Sequence, residues 1–381
     1  MSIFGCATPP TAPSAPAPAP AQAPVTQAPV TPPPAAQPPV VTEAVPAPAP
    51  LQSTVLPAVI PGPPHIALLL PLNSPIFAKA ADAVQQGFLA AANKEANGLP
   101  VRVYPYSDTN SEIVGLYQQA IRAGAVAVAG PLTRNGVAAL AATGPLTTPT
   151  LAMNLADNDA RTDNLYFFGL PGEAEARQAA QRATAAGLLS ATVVRTDTAF
   201  SKRLAQAFSD EWQREGGILK PEIVYTGDPT ALKELPQDPG DSVFIAAEAS
   251  QARLLRPYIT AELPVYSTSQ IFSGNNRTLT NYDLSDVRFF DMPWMLQPDH
   301  PAVMIYPHVT PPLPPELERL YALGIDSYRL LQLLMDHKET TALPLDGVTG
   351  KITLTGHTFQ REAIFAIMRQ GLGVPLDSKS H

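Results

Sequence analysis

Cysteine, paired histidines, dense basic runs and long apolar runs are all scarce or missing in this chain of 381 residues. The one cysteine, Cys6, has no second thiol with which to form a disulfide or share a metal. The six histidines (His65, His300, His308, His337, His357 and His381) are dispersed. They show no His-Glu-x-x-His pattern and no i, i+4 pair, which argues against a zinc site. No Gly-x-Ser-x-Gly elbow is present. The loop Pro71-Leu72-Asn73-Ser74-Pro75 lacks the glycines that a dinucleotide or phosphate cradle needs. The acidic pairs Asp157/Asp159 and Glu173/Glu175 read as helix-start or solvated charges. Lysine and arginine number 25 against 33 acidic residues, a net charge of −8, and they are scattered, which argues against nucleic-acid binding. No stretch approaches 18 consecutive apolar residues, so none reads as a membrane-spanning helix. The expectation is a protein without catalytic residues, metal or cofactor.

Proline is abundant, and unevenly so. About twenty of the 44 prolines fall between Ala7 and Pro64, where Glu43 is the only charged residue. Proline fixes φ and removes backbone donors, so neither helix nor sheet can propagate there. The segment also lacks the large apolar side chains that would offset its ordering entropy, and residues 7–64 are expected to form a disordered, polyproline-biased linker. At ~3.1 Å per residue it could reach on the order of 180 Å.

Cys6 stands just before this linker. Gly5 before it and Ile3 three positions ahead fit the small and aliphatic positions of a lipid-modified cysteine, although Phe4 is bulkier than usual. A secretory signal needs a charged start and an apolar run, and Met1–Gly5 has neither. Two readings follow: residues 1–6 are the remnant of a truncated lipoprotein signal, or Cys6 is an incidental thiol in a flexible tail.

Residues 65–381 change character. His65–Leu70 is a continuous apolar run, as in a strand buried on both faces. Helical spacing follows over Ile76–Asn97. Strand-like and helix-like segments then alternate: strands over Val101–Tyr106, Ala125–Gly130 and Thr150–Asn154, with a helix over Ile113–Ala123. The pattern restarts near Leu165, with strands at Leu165–Leu170, Ala191–Arg195, Ile223–Tyr225, Val243–Ala247 and Val265–Thr268. Helices are expected over Glu173–Ala186, Ala199–Glu215, Ser250–Ile259 and Leu317–Met335, with a last one over Gln360–Arg369. Strands alternating with helices predict parallel sheets in βαβ units. The restart predicts two α/β lobes with crossovers, the first over about 65–168 and 264–335 and the second over about 169–263 and 336–381. Ligands of such sheets bind beyond the carboxyl ends of strands. The candidates there are Ser74, Thr133, Asn135, Asn154, Ser267 and Ser269. For Thr133 the plainer reading is a helix cap, and for Asn154, Ser267 and Ser269 it is loop chemistry.

Several segments resemble the penicillin-binding protein activator (LpoA/LppC) lipoprotein family. They are His65-Ile66-Ala67-Leu68-Leu69-Leu70-Pro71-Leu72 with Gln85-Gln86-Gly87-Phe88, and Val128-Ala129-Gly130-Pro131-Leu132 leading to Asn135. Others are Ala207-Phe208 with Glu211-Trp212-Gln213 and Gly216-Gly217, then Tyr321-Ala322-Leu323-Gly324-Ile325-Asp326-Ser327 and Gly347-Val348-Thr349-Gly350. The resemblance implies a type I periplasmic-binding-protein-like fold. It also implies a non-enzymatic lipoprotein, anchored through Cys6 on the periplasmic side of the outer membrane, that binds and activates a class A penicillin-binding protein. Ala7, where Asp could act as an inner-membrane retention signal, fits that address. Longer members carry an N-terminal domain of helical repeats; here a Pro/Ala tail occupies that region. The competing reading is a solute-binding lipoprotein for an amino acid or similar small anion, and the first-lobe loop, with only Ser74 between prolines, offers it little.

Overall fold

The computed structural model describes residues 62–94, 98–107, 110–155, 162–235, 237–338 and 340–376. Cys6 and the expected linker up to residue 61 lie outside the described residues.

The chain opens as β1 (His65–Leu70), α1 (Ala78–Lys94), β2 (Val101–Pro105), α2 (Asn110–Arg122), β3 (Ala125–Ala129), α3 (Arg134–Ala141), β4 (Thr150–Ala152) and β5 (Leu165–Phe167). It restarts as α4 (Gly172–Ala185), β6 (Ser190–Arg195), α5 (Ala199–Arg214), β7 (Ile218–Leu219), β8 (Ile223–Val224), β9 (Asp241–Ala246), α6 (Ala249–Leu255), β10 (Val265–Tyr266), the single turn α7 (Thr278–Asn281) and β11 (Val287–Asp291). Two further single turns, α8 (Pro293–Leu296) and α9 (Pro301–Met304), lead to the long α10 (Pro315–Met335). The chain then runs through β12 (Leu345–Asp346), β13 (Lys351–Thr355), β14 (Thr358–Glu362), β15 (Ile364–Arg369) and β16 (Leu372–Pro375).

Two sheets result, ordered β12-β13-β14-β5-β4-β3-β1-β2 and β16-β15-β11-β10-β9-β6-β7, with β8 also pairing β6. The βαβ part of each is parallel; β12–β13–β14 and β11–β15–β16 are antiparallel. This is the expected two-lobed α/β architecture, with the crossings placed differently. Residues 265–291 belong to the second sheet, and 345–362 to the first. The helix expected over Gln360–Arg369 is instead the end of β14 and all of β15. Its apolar residues are contiguous because the strand is packed on both sides, and pairing with β11 and β13 overrides helix propensity.

Every residue of β1 is buried because its sheet is covered on both faces. Ile66, Leu68 and Leu70 pack towards α1 and α10, and Ala67 and Leu69 towards α2 and α3. The second sheet is sandwiched likewise, with Trp212, Phe208 and Phe244 stacked on one face and Val243, Ile245 and Phe289 on the other.

Two family-like segments meet in the first lobe. A Cβ on Gly87 of α1 would overlap the Tyr321 carbonyl of α10, and one on Gly324 would overlap the Val84 carbonyl. Reciprocal glycines let the helix backbones touch. Two residues further along α10, the buried Asp326 carboxylate accepts from the Val348 N–H (3.2 Å), the Thr349 N–H (2.8 Å) and the Thr349 hydroxyl (2.6 Å). Burial pushes the Asp326 pKa up, against the pull of Arg329 and of these donors. The Gly347-Val348-Thr349-Gly350 turn therefore wraps a carboxylate on the long helix, and a Cβ on Gly347 would sit against that carboxylate.

Overpacking of this kind costs about 1–3 kcal/mol or more. Gly87→Ala and Gly324→Ala should each lower the urea midpoint by at least that equivalent, whereas Gly115→Ala, on the open side of α2, should not.

Candidate functional site

The chain crosses between sheets three times: through 168–171, at Met292, and at Ala363, the single residue between β14 and β15. Charged side chains are buried at these crossings. Arg361, two residues before the third, forms an ion pair with Glu175 of α4; both are almost fully enclosed. The Glu175 carboxylate also accepts the Ser269 N–H at 2.8 Å, and Arg361 donates to the Thr349 carbonyl at 3.2 Å. Gln178, one turn along α4, accepts the Ala363 N–H (3.0 Å) and donates to the Arg361 carbonyl (3.3 Å).

The second crossing carries a matching pair. Asp291 ends β11 and meets Arg319 of α10 through two bonds, Nε to Oδ1 at 3.1 Å and Nη2 to Oδ2 at 2.6 Å. The same Nη2 donates to the carbonyls of Ser269 and Phe272, both at 2.9 Å. A planar guanidinium with five donors can satisfy a carboxylate and two carbonyls at once, which a lysine cannot. Burial disfavours the Arg319 charge, yet the adjoining Asp291 holds its pKa above the ordinary value. Ser269 thus joins the two pairs, its N–H on Glu175 and its carbonyl on Arg319. At the rim, Glu173 of α4 accepts Arg203 (2.8 Å) and lies 3.7 Å from Arg134 of α3, a more exposed tie between the lobes.

Beside α4 a groove of about 1150 Å³ runs between the lobes. Arg177, Gln178 and Gln181 of α4, Lys351 and Thr353 of β13, and Gln360 of β14 are among the residues that line it. None of the six residues expected at the cleft rim does. The Ser74 hydroxyl faces the Ile76 and Phe77 N–H groups ahead of α1, and Thr133 caps α3 through the Gly136 N–H. Asn135 is exposed. Asn154 bridges the Leu132 carbonyl and the Leu155 N–H, and Ser267 donates to the Ile245 carbonyl. Ser269 serves the charge network. Five of the six are thus engaged by the fold itself. Glu175, read as a helix-start or solvated charge, is instead buried, because Arg361 and the Ser269 N–H supply the partners that water would. Asp291, Arg319 and Arg361, which complete the junction, escaped sequence reading.

Two α/β lobes joined by three crossings, with a groove between them, define the type I periplasmic-binding-protein-like class. The chain belongs to the LppC family: the model described as "LppC putative lipoprotein" matches residues 36–238 and 230–371. It is 26% identical over 403 residues to the penicillin-binding protein activator LpoA of Yersinia pseudotuberculosis, covering 82% of this chain and 61% of that protein. The chain therefore spans about three-fifths of that curated relative's length. Among solved structures, the C-domain of Haemophilus influenzae LpoA, "a regulator of PBP1A", is 22% identical with a TM-score of 0.65, covering 82% of this chain and 100% of that one. A "putative branched-chain amino acid ABC transporter" of Chromobacterium violaceum is 36% identical with a TM-score of 0.69, covering 80% and 99%.

Removing one partner of a buried pair strands the other charge, at a cost of about 3–5 kcal/mol, whereas replacing both by apolar residues is often close to neutral. Arg319→Met alone should lower the denaturation midpoint sharply. Adding Asp291→Leu should restore much of it, although the Ser269 and Phe272 carbonyls stay unpaired; a double variant no more stable than the single would show that the pair is not what holds the junction.

Proposed function

We propose that this chain is a non-enzymatic lipoprotein that binds and activates a class A penicillin-binding protein, and so regulates peptidoglycan synthesis from the periplasmic side of the outer membrane. The observation that carries the reading is membership of the LppC family together with a match that spans the whole regulatory C-domain of the Haemophilus protein. The lobe junction supports it. A receptor that closes on its ligand needs polar groups at strand ends and lobes that can move apart. Here most of the candidate strand-end groups are engaged by the fold, and buried ion pairs tie α10 and β14 to the second lobe.

In this reading Cys6 carries the lipid and 7–64 is the tether that gives the domain reach. Stable anchoring takes more than one acyl chain. The lobes are surfaces for protein contact. A second reading, a solute-binding lipoprotein for an amino acid or similar anion, is favoured by the Chromobacterium neighbour and by the size of the groove.

Two experiments separate these. With the chain as bait in an envelope extract, recovery of a penicillin-binding protein is expected, and adding the chain to that purified synthase should raise its transpeptidase rate; failure of both would sink the activator reading. A thermal-shift panel of amino acids should leave the midpoint unchanged, and a strongly stabilising amino acid would favour the receptor. In cells expressing the intact gene product, Cys6→Ser should abolish palmitate labelling and release the protein from the membrane fraction.

A further inference from the structure

The antiparallel extension of the second sheet outgrows its helical cover. Register places Tyr266 of β10 beside Arg288 of β11, and Arg288 beside Ile367 of β15. Side chains alternate along a strand, so Phe365 and Arg369, two residues either side of Ile367, share that face. Helix α4 ends at Ala185, and beyond it this corner of the sheet lies open as a depression of about 370 Å³. Its apolar lining includes Leu188, Pro264, Ile367 and Leu376. Three arginines also line it, and no carboxylate does among the described residues. That is anomalous in a chain of net charge −8.

Two of the three lie against aromatic rings. Arg182 lies over Phe365 at 4.8 Å, and Arg288 over Tyr266 at 5.7 Å. Half-buried in mid-strand, the Arg288 guanidinium makes no hydrogen bond or ion pair with the described residues. Stacking holds a guanidinium plane in place while leaving its edge donors available for a carboxylate. The depression shares Arg182, Ala185, Phe365 and Leu376 with the larger inter-lobe groove, so an extended occupant can run on from one into the other.

We propose that this corner is a docking site for an acidic, extended segment of a protein partner. Its carboxylates pair with Arg288 and Arg369, and an intervening apolar side chain rests on Phe365 and Ile367. The acidic remainder of the surface would repel such a segment, so charge directs it to this spot. The site is built by the sheet and its flanking residues alone and does not depend on which protein is the partner.

The test is fluorescence anisotropy with the full chain and a short labelled peptide of alternating glutamate and leucine. Binding is expected, weakened by added sodium chloride and absent when glutamine replaces glutamate. Arg288→Ala and Arg369→Ala should each reduce affinity by about tenfold, as loss of a charge pair at an interface does. Arg288→Lys should fall between, keeping the charge and losing the fork. Arg369→Glu, at an exposed position, should abolish binding with the thermal midpoint unchanged. The proposal is overturned if the unsubstituted chain does not bind, if the Arg288→Ala, Arg369→Ala double variant binds equally well, or if citrate or inorganic phosphate binds more tightly than the peptide, which would make this a small-anion site.

Discussion

Ser269 is a small residue in a short loop, and the relation between the two lobes converges on its peptide groups. Its N–H is held by Glu175, itself paired with Arg361, and its carbonyl is held by Arg319, itself paired with Asp291. Four ionised groups removed from water are costly unless each finds its full complement of partners. Here the partners come from both sides of the junction: α10 and β14 from the first sheet's side, α4, β11 and the loop after β10 from the second. The net contribution of such pairs to stability is small beside that of the apolar cores. Their effect is on specificity of arrangement, since any rotation that draws α10 away from 269–272 leaves charges and carbonyls unpaired.

Much of the fold was legible because its helices and strands are regular. The continuous apolar run of β1 is a local signal, and the strand it marks lies where expected. The restart of the pattern announced two sheets, although the strand at Leu165, read as the restart's first, pairs with β4 in the first sheet, and the second sheet begins with β6 after α4. Segments with family resemblance proved to have physical reasons: Gly87 and Gly324 permit a backbone contact between helices, and Gly347–Gly350 closes around Asp326. The segment Gln360–Arg369 was misread, because it has the composition of a helix and is made strand by pairing with the adjacent β13 and with β11, over 70 residues earlier in sequence.

The site was much less legible. Strand-end hydroxyls are conspicuous in a sequence, but a hydroxyl reaching a nearby carbonyl or N–H cannot be told from one awaiting a ligand. Ser267 shows this: its partner, the Ile245 carbonyl, lies on the neighbouring strand. Arg319 gave no clearer signal, since it follows Glu318 and reads as part of a solvated helix start, yet once buried its guanidinium must have a carboxylate or carbonyls to face. What it faces could be learned only from the fold.

The position of α10 and β12–β16 late in the chain bears on how the protein is made. The first sheet opens at His65 but is not complete until Glu362, and the second lacks its antiparallel edge until Pro375. Helix α1, the first helix of the two-lobed domain, has its main partner in α10, over 220 residues later. Neither lobe can therefore be finished before residues 345–375 are made, and each must wait with an exposed sheet edge for that same stretch. Contacts this distant slow folding and leave strand edges open to mispairing. The two lobes, although separate in space, mature as a single unit.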